Sequence, residues 1–192
     1  MALDIVILGP PGAGKGTQAD LIAAETGAPH INTGDMYRAA VAVESALGEK
    51  VQPYMEKGEL VPDDLTIEVV RERLSQADTM DGFVLDGFPR TLPQAEALDS
   101  ILGDTDREIT VVLDFHLSEE LAEQRLLKRA LEQGREDDTP EIIHRRMETM
   151  RIPEELVEFY RARGLLVGIH AERSIEDVFA EVQQVLQAAA AR

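Results

Sequence analysis

The chain has no cysteine, and that absence removes disulfides, thiolate catalysis and a cysteine zinc site together. Lysine is scarce as well, at four residues against fifteen arginines; with the acidic balance this reads as a GC-rich genome, and a high-salt habitat is the alternative. Positive charge as a whole is in short supply. A net charge of −18 repels the phosphate backbone of nucleic acid and an anionic membrane surface alike, so neither is an expected partner. No apolar run approaches the roughly 20 residues needed to span a bilayer. With a strand-like run starting at Leu3, no leader peptide is expected, and the expectation is a cytoplasmic protein. Histidine offers little: His30, His116, His144 and His170 read as ordinary packing or surface residues.

What is present suffices for one domain. At 192 residues and 44% hydrophobic content, a single sizeable core is expected over 1–192. Short apolar, β-branched runs occur at residues 3–8 (LDIVIL), 82–87 (GFVLDG), 110–115 (TVVLDF) and 165–169 (LLVGI), with a shorter candidate at 29–32 (PHIN). Helical patterns separate them, the signature of an α/β fold with a parallel five-stranded sheet covered on both faces. Two departures stand out. From Gly34 to about Ala77 no strand pattern occurs, and the reading is a small helical insertion with breaks at Gly48, Gly58 and Pro62. Residues 132–140 (EQGREDDTP) form a polar break, after which Thr139 and Pro140 suit an N-cap and a first helical turn. Both departures follow strand C-terminal ends, where open α/β sheets bind ligands.

The stretch GPPGAGKGT, residues 9–17, sits between the first strand and the first helix. Its glycines let backbone N–H groups turn inward on a phosphate, the helix start adds partial positive charge, and Lys15 adds a full one. The usual phosphate-loop pattern places Ser or Thr directly after the lysine as a magnesium ligand; here Gly16 follows and the hydroxyl comes at Thr17. The loop reads as a phosphate binder of an unusual spacing. Arginines provide a second signal, because a solvated helical arginine usually has carboxylates at i±3 or i±4. Arg145 has Glu141 and Glu148. Arg146 has none, Arg125 sits beside Lys128 and Arg129, and Arg129 has only Glu132. Arg73 also lacks a carboxylate there, and no role is assigned to it.

The loop form G-x-P-G-x-G-K-G-T resembles that of nucleoside monophosphate kinases, a P-loop NTPase-type fold. Three further stretches, NTGDMYR (32–38), DGFPRTLPQ (86–94) and GREDDTPEIIHRR (134–146), resemble the adenylate kinase branch. The resemblance implies a helical NMP-binding insertion at 32–61 and a short lid at 128–138. It places ATP on Gly12, Ala13, Gly14, Lys15, Gly16 and Thr17, with Arg129 and Arg173. It places AMP on Thr33, Gly34 and Arg38, with Glu59, Leu60 and Val61 closing over the base. Gly87, Phe88, Pro89 and Arg90 wrap the same nucleotide, and Gln94 reads the adenine edge. Arg38 and Arg90 meet the AMP phosphate, while Arg135 and Arg146 converge on the transferred group, joined by Arg125. Asp86 would anchor the water shell of a magnesium ion carried by the nucleotide. The implied reaction is MgATP + AMP ⇌ 2 ADP, run by a monomer.

The lid, about ten residues long and without cysteine, resembles the short form, so no zinc is implied. Residues 147–160 lack the Tyr and Gln-Thr common in relatives, and His170-Ala171 stand where Asp-Gly is usual, which makes Arg173 the weakest match. A UMP/CMP kinase is the nearest alternative, opposed by Thr33 and Gln94. A P-loop kinase for a small metabolite such as shikimate is opposed by the GFPR and TGD stretches. A silent nucleotide-binding module would be expected to have lost Lys15 or matched arginines, and none is missing.

Overall fold

The computed structural model describes residues 3–133 and 139–191. Its sheet has five parallel strands: β1 (Leu3–Leu8), β2 (His30–Asn32), β3 (Gly82–Asp86), β4 (Val111–His116) and β5 (Leu166–His170), in the order β2-β3-β1-β4-β5. The central strand pairs on both sides, Ile5 with Val84 of β3 and with Val111 of β4. Alternation along β1 feeds both faces of the sheet. Val6 and Leu8 join Phe83, Leu85 and Val112 in one core, under α4 (Asp63–Leu74), α5 (Leu92–Gly103) and α8 (Glu154–Arg161). Ile5 and Ile7 join Val84, Leu113 and Phe115 in the other, under α1 (Lys15–Thr26) and α9 (Ile175–Ala190). A strand buried on both faces has no need of polar alternation, which is why these runs read as continuously apolar.

Between β2 and β3 the chain is helical, through α2 (Thr33–Ala42), α3 (Ala46–Lys57) and α4. This excursion has its own small core of Tyr37, Val51, Val61 and Val69, and the Tyr37 hydroxyl donates to Thr66 at 2.9 Å. The expected break at Gly48 is not there. The chain turns at 43–45 instead, and Ser45 caps α3 by accepting from the Gly48 N–H at 3.1 Å. Gly48 is small for another reason: a Cβ there would lie 2.3 Å from the Ala40 carbonyl oxygen, where α2 and α3 touch. Gly58 and Pro62 do end α3 and begin α4. Beyond β4, α6 (Glu119–Gln133) and α7 (Pro140–Thr149) flank the polar break, with Thr139 capping α7. No described helix is long and apolar enough to cross a membrane.

Candidate active site

The C-terminal ends of the strands open into a cleft of about 610 Å³. Its floor is the glycine loop between β1 and α1. Gly12 takes φ +82°, and a Cβ there would meet the Ala122 carbonyl oxygen of α6 at 2.5 Å, so only glycine lets the loop pass under that helix. At the head of α1, Gly14 provides no side-chain cap and the first turn holds no acidic residue. Every other α-helix among the described residues has a capping side chain or an acidic first turn. The α1 N-terminus therefore keeps its orphan N–H groups and partial positive charge for an anion.

Lys15 stands at this helix start, 7% exposed, with Nζ donating to the Pro10 carbonyl at 2.9 Å. Burial pushes its ammonium down to about 8; Asp86 opposes that shift, and Arg90 and Arg129 add to it. Asp86, at the end of β3, is 4% exposed. One of its oxygens accepts from Asn32 Nδ2 at 2.6 Å, and the other, Oδ1, is buried with no hydrogen-bond partner among the described residues. An orphaned carboxylate oxygen beside a phosphate loop fits the water shell of a hard cation.

Arg90 lies across the floor from the loop, its Nη1 3.5 Å from the Gly9 carbonyl and its Nε donating to Gly87 O at 3.2 Å. Burial pulls its guanidinium below the usual range, against the charge of Asp86. Arg125, Arg129 and Arg146 line the same cleft from α6 and α7, with Gly16 and Thr17 below them. Arg146 is 8% exposed, buried as its sequence flanks suggest. Arg145, one residue earlier, lies on the surface between Glu59 and Glu148. Among the described residues, seven lysine and arginine side chains line the cleft against five acidic ones, in a chain of net charge −18.

The insertion forms the opposite wall with Thr33, Gly34, Arg38, Glu59, Leu60 and Val61. Arg38 is held by Asp35 at 2.5 Å. Gly87 and Gln94 line the cleft, but Phe88 does not: it is fully buried in the core, so any contact from the 87–90 turn is made by its backbone, Gly87 and Arg90. Pro89, which follows a cis peptide bond, also lies outside the lining.

Two of the residues that the resemblance gives to ATP sit elsewhere. Ala13 and Arg173 line a smaller cavity of about 180 Å³ beside the loop, which Arg125 also borders. Arg173 bonds Glu181 and the His170 carbonyl, the latter at 3.2 Å. Arg135 lies outside the described residues.

Residues in and behind the wall make contacts that the sequence does not signal. His30 lines the cleft, with Nδ1 2.7 Å from Asp20 and Nε2 4.0 Å from Asp86, so it is not a mere packing residue. Asn32 both caps α2 and steers Asp86. Asp63 touches Gln94 from 31 positions away, which no local pattern reveals.

A family model described as adenylate kinase matches residues 7–165. The chain is 44% identical over 183 residues to an adenylate kinase of Cyanothece sp., covering 95% of this chain and 94% of that one. It is 45% identical over 187 residues to an adenylate kinase of Thermobifida fusca, at 97% and 99% coverage. An adenylate kinase of Nitrobacter winogradskyi is 42% identical over 190 residues, at 95% and 92%.

Proposed function

The chain belongs to the adenylate kinase family, and from that premise we propose how its own residues move a phosphoryl group reversibly between ATP and AMP. The observation that carries the reading is the cationic cleft over an uncapped helix start in a strongly acidic chain. ATP lays its phosphates on the loop of residues 12–17, where the α1 N–H groups and Lys15 receive them. AMP enters from the insertion side, with its phosphate between Arg38 and Arg90 and its base under Glu59, Leu60 and Val61, read by Gln94.

The terminal phosphoryl group then lies between two anions. A phosphate oxygen of AMP forms the new P–O bond as the bond to the leaving ADP breaks, in line. The attacking oxygen is already ionised at neutral pH, so no general base is required, in keeping with a wall whose one described histidine, His30, is engaged by Asp20. What the reaction needs is positioning and positive charge around the spread equatorial oxygens. Arg125, Arg129 and Arg146 supply it, and Arg135 joins them in this reading. Asp86 would hold the water shell of a magnesium ion carried in on the nucleotide, which would supply neutralisation of phosphate charge.

In this reading the 32–61 segment and the 128–138 lid, whose residues 134–138 lie outside the described ones, would close over both nucleotides and exclude water that would otherwise hydrolyse ATP. The proposal includes a monomer working on free nucleotides in the cytoplasm. The test uses ADP and magnesium alone. Equimolar ATP and AMP should accumulate, and Arg90→Ala should slow this by about 10²- to 10³-fold, the usual loss for one well-aimed donor. Release of AMP with inorganic phosphate and no ATP would contradict the reading.

A further inference from the structure

A side-chain amide reads a base in either of two senses, depending on which end carries the oxygen. At Gln94 that choice is fixed from outside. The Arg90 N–H donates to Gln94 Oε1 at 2.7 Å, and Gln94 Nε2 donates to Asp63 Oδ1 at 2.7 Å. The second Asp63 oxygen accepts from the Thr91 hydroxyl at 2.8 Å, so the carboxylate is itself held. Reversing the amide would set donor against donor at Arg90 and acceptor against acceptor at Asp63. With Gln94 only 1% exposed, little water can relieve either clash. Asp63 stands in the first turn of α4, where the helix start favours its charge.

We infer that Asp63 is a specificity-determining positioning residue: by locking the Gln94 amide it makes the acceptor site take a 6-amino purine and refuse a 6-oxo purine. The inference rests on the reading of Gln94 as the base contact. After its two structural bonds the amide keeps one N–H and one oxygen lone pair for the nucleotide. Adenine offers an N6–H donor beside a ring-nitrogen acceptor, which matches an amide on either edge. Hypoxanthine, the base of IMP, is nearly the same in shape but has a carbonyl oxygen at that position. On the edge that carries N1–H, a free amide would turn to suit it. A locked one leaves acceptor facing acceptor.

The experiment measures kcat and KM for AMP and for IMP at saturating MgATP in the native chain, Asp63→Asn and Gln94→Ala. The amide introduced by Asp63→Asn matches the carboxylate in size but can present either N–H or oxygen, so the Asp63 half of the lock is lost and only the Arg90 N–H still opposes reversal. The AMP-to-IMP ratio of kcat/KM should fall about tenfold in Asp63→Asn, the usual scale for a hydrogen bond to a charged group. The change should appear in the KM of the acceptor, with the KM of MgATP unmoved. Asp63→Ser, which suits a helix start but cannot reach Gln94, should give the same fall if the Asp63→Asn variant folds poorly. A purely structural Asp63 would lower activity on both acceptors together and leave the ratio intact, which overturns the inference. If Gln94→Ala lowers the ratio and neither Asp63 variant does, the lock is wrong while the base contact stands. If Gln94→Ala leaves the ratio unchanged, the base contact itself is wrong.

Discussion

Thr149, at the end of α7, donates its hydroxyl to the carbonyl oxygen of Gly58 at 2.8 Å and so ties α7 to the C-cap of α3. The same hydroxyl lies 2.9 Å from its own helix's Arg145 carbonyl, and Arg145 approaches Glu59 at 3.7 Å. The contact is tight, since a Cβ on Gly58 would meet the Ile142 carbonyl oxygen at 3.1 Å. The insertion wall of the cleft is thus joined to the helix that carries Arg146.

Thr149→Val removes the hydroxyl and keeps the shape. One net hydrogen bond is worth about 0.5–1.5 kcal/mol, so the expected result is a rise of about 3- to 10-fold in the KM for AMP. The KM for MgATP should not move. Steady-state kinetics with each substrate varied in turn decides it, and an equal rise in both constants would place the contact outside AMP binding.

Lys15 gives a pH signature. Burial holds its ammonium near 8 in the free protein, so the charged form is present below that value and lost above it. The kcat/KM for MgATP should be level below about pH 8 and fall about tenfold per unit above it, while kcat persists to higher pH because bound phosphates favour the ammonium. The loss is not unfolding. The unfolded lysine, at 10.5, binds more protons than the folded one between about 8 and 10.5, so the contribution of Lys15 to folding stability rises over that window. Parallel initial-rate and denaturation profiles across this range check both signs.

At the other end of the sheet, Asp4 is 3% exposed and held by Arg107, whose Nε donates to Oδ2 at 3.0 Å while its guanidinium stacks 5.4 Å above Phe83. Burial raises the Asp4 carboxyl, and the Arg107 hydrogen bond and charge pull it back. Arg107→Ala strands a buried carboxylate and should cost about 3–5 kcal/mol in urea denaturation. The paired change Asp4→Val with Arg107→Met should recover most of it, since an apolar pair of similar size needs no desolvation of charge. Neither should alter kcat of the folded protein, because the pair lies at the strand ends away from the cleft.

Local chemistry made much of this molecule legible. The run at 3–8, the glycine loop and the helix from Lys15 follow one another in sequence as they do in space, so pattern alone finds them. Arg146 betrayed its burial through neighbours that offer no carboxylate, and Arg145 its exposure through neighbours that do. The same test misses Arg73, which reaches Asp78 with paired bonds of 2.8 and 2.7 Å just past the end of its helix. Gly48 misled because its reason is a contact with Ala40 on the neighbouring helix rather than a turn. His30, Asn32 and Asp63 act across tens of residues, and no spacing rule carries that information.

Transfer to AMP is decided by an acceptor panel: MgATP with AMP, CMP, UMP or GMP singly, products separated by chromatography. ADP should form rapidly with AMP and slowly with the other three. Preference for CMP or UMP, or binding without turnover for every acceptor, would contradict it.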